Sequence, residues 1–334
     1  MSESGTSRSE YFETFWRGFE ANAAAPTSVL LSTAGVSLRL CAADDELAAI
    51  FFPHFSARII PDDGRACATV RISSGAATSA SSTALYAEDD DVIVSYNPAI
   101  GQLSLWDRSS QRGVWWIGER HRLPLWTHSV QIAEFVHWAL TAGGVAMVHA
   151  ASVGLGGDGL LLVGASGAGK STAAMACLAA GWDYVGDDYC ALHPDGTTRN
   201  IYGVGRLTPS SVASFAELAP SAIAVRTHDQ KTVYDIAQHR PAQLHEQLRL
   251  RAVVVPALGP APLPPQLIPP TRAALAVIPS TLGQLPAMQP DSLRLIAATL
   301  RSVPVYVVTF GPDRRHAPVQ LAQILNQLPT EETR

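Results

Sequence analysis

Lysine is nearly missing from this 334-residue chain: of 24 basic residues only Lys170 and Lys231 are lysine, and arginine fills the other positions. The net charge is -5 and no Lys/Arg cluster breaks it locally, so nothing draws the chain to a nucleic-acid backbone and no nucleic-acid partner is expected. Long hydrophobic runs are missing too. No stretch of 18 or more uncharged apolar residues occurs, and the opening MSESGTSRSEYFE is polar and partly acidic, unlike a secretory leader. The expectation is an unanchored cytoplasmic protein without a membrane partner. Cysteine is sparse and unpaired. Cys41, Cys67, Cys177 and Cys190 form no CxxC and have no histidines at metal-ligand spacing, which excludes a zinc site and reads as buried thiols in a reducing compartment.

What is present is a globular composition, with 47% hydrophobic and 16% charged residues, in a chain long enough for about two domains. Residues 1–25 read as a flexible arm carrying one amphipathic piece, YFETFWRGFE. Residues 26–142 read as a smaller, mainly antiparallel β (α+β) domain. Its short apolar runs SVLLS, VSLRL, ATVRI and DVIVSY are separated by Gly, Pro, Asp and Ser, and EDDD at 88–91 reads as a solvated turn. SVQIAEFVHWALTA at 129–142 carries Ile132, Phe135, Val136, Ala139 and Leu140 at helical spacing and is stopped by Gly143-Gly144, near the domain boundary. Trp106, Trp115, Trp116 and Trp126 precede it, either as junction packing or as a peptide groove, so this domain is a candidate for substrate recognition.

From 143 to 330 the pattern becomes α/β. AMVHAASVG, GLLLVG and YVGDDYCAL read as strands with the helix STAAMACLAA between the last two. RAVVVPAL, AALAVIP and VPVYVVTF read as further buried strands, PALGPAPLPPQLIPP as a loop and APVQLAQILNQL as a closing helix.

Between GLLLV and TAAMACLAA lies GASGAGKS, a match to G-x-x-x-x-G-K-[ST] in strand–loop–helix context. Such a loop turns backbone N–H groups inward around a phosphate while the following helix points its positive end at the same charge. The expected nucleotide-binding residues are Gly164, Ala165, Ser166, Gly167, Ala168, Gly169, Lys170, Ser171 and Thr172, with ATP and Mg²⁺ as cofactors. Lys170 would bridge the β- and γ-phosphates, and the Ser171 hydroxyl suits Mg²⁺ as a hard oxygen ligand. One helix and one short strand later comes Asp187-Asp188, close enough in sequence for the chain to return beside the loop. Two carboxylates there can supply a base and a metal ligand for phosphoryl transfer to a hydroxyl. Lys231, the other lysine, is expected against the γ-phosphate or the developing transition-state charge, since a compact ammonium reaches where a planar guanidinium does not fit.

HASVG, then GASGAGKST, then LAAGWDYVGDDY resembles the kinase domain of the HPr kinase family over about residues 145–210, and more loosely to 330. That resemblance implies a phosphate-loop kinase fold of the HPr kinase/phosphoenolpyruvate carboxykinase type, preceded here by the smaller β domain, and transfer of a phosphoryl group to a serine of a protein. It implies that His149 is an active-site histidine, that Lys170 and Ser171 are the phosphate and Mg²⁺ residues, that Asp188 takes the serine proton and that Asp187 is its acidic neighbour; Ser171 and Asp187 are the expected metal residues. Across most of the chain the phrasing is more similar to the HPr-kinase-like group found with lasso-peptide and other ribosomal-peptide biosynthesis, whose members modify a serine near the end of a precursor peptide. Two departures stand out. Asn200, in RNIYGVGRL, occupies the place of the family's glutamate metal ligand, and the first 140 residues do not resemble the usual regulatory domain.

The expected function is therefore an ATP-dependent serine kinase acting on a peptide or small protein, with a lasso-type precursor or an HPr-like carrier protein as acceptor; a homo-oligomer is left open. One rival is a nucleotide-binding regulator without transfer activity. Another is a small-molecule kinase, for which a clustered set of anion-binding arginines is expected in place of the scattered Arg206, Arg226, Arg240, Arg249 and Arg251.

Overall fold

The computed structural model describes residues 7–23, 26–75, 85–89, 91–98, 101–118, 132–226 and 231–329. The chain divides into two compact units, Met1–Gly143 and Gly144–Arg334.

The first unit is a helix-covered sheet. The expected flexible arm is instead helix α1 (Arg8–Asn22) from its cap onward: Ser7 and Glu10 form a reciprocal capping box that satisfies the first N–H groups. Phe12 and Phe19, two turns apart, are buried, and Phe12 packs on Val92, Val94, Leu103, Leu105 and Val114. Arg71 lies over the Trp16 ring at 3.7 Å and pairs with Glu20 at 2.7 Å. Burial of the aromatic face therefore holds the segment that its polar first residues suggest is loose.

The chain continues through β1 (Thr27–Thr33), β2 (Val36–Ala42), α2 (Asp45–Phe51), β3 (Ile59–Ile60), β4 (Ala68–Ser74), β5 (Leu85–Glu88), β6 (Val92–Asn97), β7 (Gln102–Asp107), β8 (Arg112–Ile117) and α3 (Ala133–Ala142). The sheet order is β3-β1-β2-β4-β8-β7-β6-β5, antiparallel except where β4 runs parallel to β2 and β8. Trp106 packs on Phe135 and Trp138, and Trp115 on Phe51 with centroids 4.7 Å apart. Both indoles are buried, so they are core and line no groove. Trp126 lies outside the described residues, as do 129–131 of the expected helix and Asp90 of the EDDD turn.

The second unit contains β9 (Ala146–Val148), β10 (Ala150–Leu155), β11 (Asp158–Val163), α4 (Lys170–Ala179), β12 (Asp183–Gly186), β13 (Cys190–Leu192), β14 (Thr197–Arg199) and β15 (Val204–Leu207). It continues with α5 (Pro209–Val212), β16 (Ala222–Arg226), β17 (Thr232–Asp235), α6 (Ile236–His239), β18 (Gln247–Leu258), β19 (Gln266–Ile268), α7 (Pro270–Leu282), α8 (Pro290–Ser302), β20 (Val305–Phe310) and α9 (Ala317–Gln327). The main sheet runs β12-β10-β11-β18-β14-β13-β9, with β20 added beside β18 and β19 beside β20; β15, β17 and β16 form a small separate sheet. The result is a mixed α/β unit with several sheets.

β11 explains the layering. Its residues alternate, so Leu160 and Leu162 join one core with Met175 of α4 and Leu321 of α9, while Leu161 and Val163 join another with Val277 of α7 and Ile296 of α8. A strand covered on both faces needs an unbroken apolar run, which is what GLLLV supplies. Each fully buried leucine contributes roughly 2 kcal/mol.

AALAVIP, expected as a strand, lies within helix α7. Its inward residues Ala273, Val277 and Thr281 recur every four positions, while Leu275 is 73% exposed, a helical period that the intervening alanines conceal. Pro270 starts the helix and Pro279 falls in its last turn. The expected loop PALGPAPLPPQLIPP contains the short strand β19. Among the described residues no helix is long and apolar enough to cross a membrane.

Candidate active site

The register of the main sheet brings three chain breaks together. Ala150, the first residue of β10, pairs with Val163, the last of β11, so His149 in the bend before β10 lies next to the start of the Gly164–Gly169 loop. On the other side Ser152 pairs with Gly186, the end of β12, and Val148 pairs with Cys190, the start of β13. Asp187 and Asp188 therefore occupy a break in one strand opposite the His149 break in its neighbour. The three segments open on one cleft of about 500 Å³.

Within the loop, Gly167 and Gly169 have φ of +82° and +95°, a region L side chains rarely adopt. Gly164 is needed for space, since a Cβ there would meet the Ala168 Cβ at 3.0 Å. The loop backbone closes with Ala168 N–H donating to the Ala165 carbonyl at 3.2 Å. Helix α4 starts at Lys170, so its unpaired first-turn N–H groups belong to residues at the cleft. Ser166, Gly167, Gly169, Lys170, Ser171 and Thr172 line it. The Lys170 ammonium donates to the carbonyls of Gly164 at 2.7 Å and Ala165 at 3.2 Å. Burial pushes its pKa down to about 8, with Lys231 adding to that and Asp187 opposing it.

Asp187 is buried and heavily solvated by protein donors. The Tyr184 hydroxyl donates to it at 3.2 Å, the Arg206 backbone N–H at 3.3 Å, and the Ser171 hydroxyl also bonds its carboxylate. Burial raises its pKa above the ordinary carboxylate range, against the pull of Arg206, Ser171 and Lys231. Asp188 lines the cleft, stands at a left-handed φ of 66° and pairs with the Arg206 guanidinium. Ser171 and Asp187 thus meet as hydroxyl and carboxylate, a hard-oxygen pair that fits Mg²⁺ held mainly by nucleotide oxygens and water. Among the described residues no group of three or more His, Cys, Asp or Glu side chains could hold a metal without such help.

His149 is held on its inner side. Its backbone N–H donates to the Thr281 hydroxyl at 3.1 Å, and its Nδ1 lies 2.9 Å from the Gln284 side-chain nitrogen, while the Gln284 oxygen accepts from the Tyr189 hydroxyl at 2.8 Å. Nδ1 is thus an acceptor, and the imidazole is neutral with its proton on Nε2. Burial, then Lys170, Lys231 and Arg206, push its pKa down to about 3. That makes it a poor proton acceptor and a good hydrogen-bond donor.

Lys231 lines the cleft, just before β17. Asn200 does not. It is fully buried, and its side-chain nitrogen donates to the carbonyls of Val185 and, at 3.0 Å, Tyr202. A glutamate carboxylate could not donate those bonds, so the residue ties the connection between β14 and β15 to β12. Of the scattered arginines whose side chains are described, only Arg206 reaches the cleft. Arg249 and Arg251 pair with Asp158, Arg240 donates to the Glu217 carbonyl, and the Arg226 side chain is outside the described residues. Sequence reasoning passed over Arg314, Leu258, Pro312 and the hydroxyls of Thr208, Ser210, Ser211 and Ser214, which also line the cleft. Only Arg206 carried a local signal, by following the GVG turn.

No family model matches this chain, and no curated protein matches it. Among solved structures, the HPr(Ser) kinase/phosphatase from Coxiella burnetii aligns over 54% of this chain and 93% of its own length, with 13% identity and a TM-score of 0.28.

Proposed function

We propose that this chain is an ATP- and Mg²⁺-dependent kinase that transfers the γ-phosphoryl group to a serine hydroxyl of a peptide or small protein. The observation that carries the reading is the convergence of Lys170, Ser171, Asp188 and His149 on one cleft, with Asp187 buried behind it and hydrogen-bonded to Ser171, from three segments whose strand register leaves little freedom to arrange them otherwise.

In the proposed reaction the serine Oγ forms a bond to the γ-phosphorus as the bond to the β–γ bridging oxygen breaks. ADP leaves, and the hydroxyl proton passes to the Asp188 carboxylate. Arg206 pairs with Asp188 and aims it. Lys170 and the loop N–H groups hold the polyphosphate, and His149 Nε2–H donates to a phosphoryl or acceptor oxygen. Mg²⁺, when bound, would neutralise phosphate charge, with Ser171 and Asp187 as the residues that hold it.

The sequence resemblance favours a serine of a ribosomally made, lasso-type precursor peptide as acceptor, with an HPr-like carrier protein as the alternative. The test is mass spectrometry of serine-bearing peptides incubated with the protein, ATP and Mg²⁺. A phosphoserine product that requires Lys170 supports the proposal. ATP binding with no product on any serine peptide or carrier protein, and no ADP released, assigns the chain to nucleotide-dependent regulation.

A further inference from the structure

Lys170, Lys231, Arg206 and Asp188 gather at one end of the cleft. Lys170, Lys231 and Arg206 all act on His149, and Arg206 and Lys231 on Asp187. The remaining stretch of its wall has a different chemistry. Strands β18 and β20 run parallel and in register, with Leu258 opposite Phe310, so the chain leaves both on the same edge of the sheet, beside the Gly164–Gly169 loop. Leu258 stands there 55% exposed, and its Cδ2 lies 3.3 Å from where a Cβ on Gly169 would be. Pro312 is exposed beside it, and Arg314 follows in a 3-10 turn (Arg314–His316) packed near α4.

Arg314 is the unexplained member. Its Nη1 is buried and has no hydrogen-bond partner among the described residues, and the adjacent Asp313 is taken by Arg315 at 2.7 Å. A half-buried guanidinium facing an exposed leucine and a proline is a poor site for more phosphate, because the apolar rim offers no donors. It is a good one for a flat, polarisable ring, which stacks on a guanidinium plane and covers an aliphatic wall. Thr172, in the first turn of α4, meets Ser211 with their hydroxyls 3.4 Å apart, and Ser214 lines the same wall. Those hydroxyls are suited to a sugar.

We infer that Leu258, Pro312 and Arg314 form a nucleobase subsite, with Thr172, Ser211 and Ser214 placed to hydrogen-bond the ribose, so that the cleft selects a nucleoside triphosphate over a bare polyphosphate chain. The inference rests on the cleft being a nucleotide site.

The test is calorimetric binding of Mg²⁺–ATP and of Mg²⁺–tripolyphosphate to the full chain. Arg314→Lys keeps the charge and removes the planar stacking surface, and Leu258→Ser removes the aliphatic wall at an exposed position that leaves folding intact. Each is expected to weaken ATP roughly tenfold while leaving tripolyphosphate within about twofold, the size of one lost stacking contact. Equal weakening of both ligands, or no effect on ATP, overturns the subsite while leaving the phosphate-loop reading in place. A further overturning result is loss of both ligands in Arg314→Ala with recovery in Arg314→Lys, which makes Arg314 a phosphate residue. Wild-type protein that binds neither ligand overturns the nucleotide reading itself, and this inference with it.

Discussion

Arg206 and Asp188 are partners in a buried ion pair, 18 residues apart with strands β13 and β14 between them, and Asp188 holds its place at a φ of 66°. A left-handed aspartate costs about 1 kcal/mol or more, and here the strain is held at a cleft, where pairing and packing over-determine the backbone. Arg206→Ala leaves the Asp188 carboxylate buried without its counter-ion. Urea unfolding at neutral pH is expected to show a loss of about 3 kcal/mol, well above the effect of removing an exposed pair.

Asp188→Asn keeps the size of the side chain and removes its capacity to take a proton. ATP affinity is expected to stay within a few-fold of wild type while turnover falls by roughly 10²-fold or more. Single-turnover kinetics beside calorimetry make the comparison. Near-normal turnover would move proton acceptance away from Asp188, and His149 is a weak substitute because its pKa is pushed down to about 3.

Lys170 is expected to tie the proposed nucleotide binding to pH. Burial holds its pKa down to about 8 in the free protein, and a bound polyphosphate would raise it again. ATP binding is therefore expected to take up a proton at pH above about 8 and none near pH 6. Calorimetry in buffers of different ionisation enthalpy reads that difference. The same depressed value means that the unfolded chain binds more protons at Lys170 between about pH 8 and the ordinary lysine range near 10.5, so this group's contribution to stability rises with pH there. Lys170→Ala is expected to abolish the proton uptake and most of the affinity.

His149 carries the same sign in an acidic window. Its folded pKa of about 3 lies below the ordinary 6.5, so the unfolded chain holds the extra proton between these values. The stability it permits is fully present above pH 6.5 and is lost as pH falls toward 3. His149→Asn is expected to flatten the fall in unfolding free energy between pH 6.5 and 4, and kcat for the wild type is expected to show no limb from this residue between pH 5 and 8. A wild-type limb near 6.5 that vanishes in the variant would mean that the histidine titrates freely.

Lys231→Arg preserves charge and changes shape. At a wall shared with Lys170 and His149 the larger planar head is expected to lower turnover by roughly tenfold with little change in ATP affinity. Wild-type kinetics in that variant would place Lys231 outside the reaction.

Local chemistry made part of this protein legible before any fold was known. GLLLV followed by GASGAGKS and an alanine-rich helix is a signal in which strand propensity, glycine placement and helix start agree within about twenty consecutive residues. The α1 helix and α7 were harder. The polar residues before Ser7 mask a helix whose aromatic face needs a sheet to cover it, and the alanines of AALAVI blur a four-residue period into what reads as a strand. The site divides in the same way. Gly164 to Thr172, Asp187, Asp188, His149 and Lys231 are singled out by spacing, scarcity or resemblance. The partners that set their chemistry are not, since Gln284 meets His149 across 135 positions and Arg314 reaches the same cleft from a turn after the last strand. Sequence spacing carries no information about contacts of that range. Only the register of β10 with β11 and β12, and the parallel alignment of β18 with β20, decided which distant side chains share a wall and therefore which protons and charges they hold.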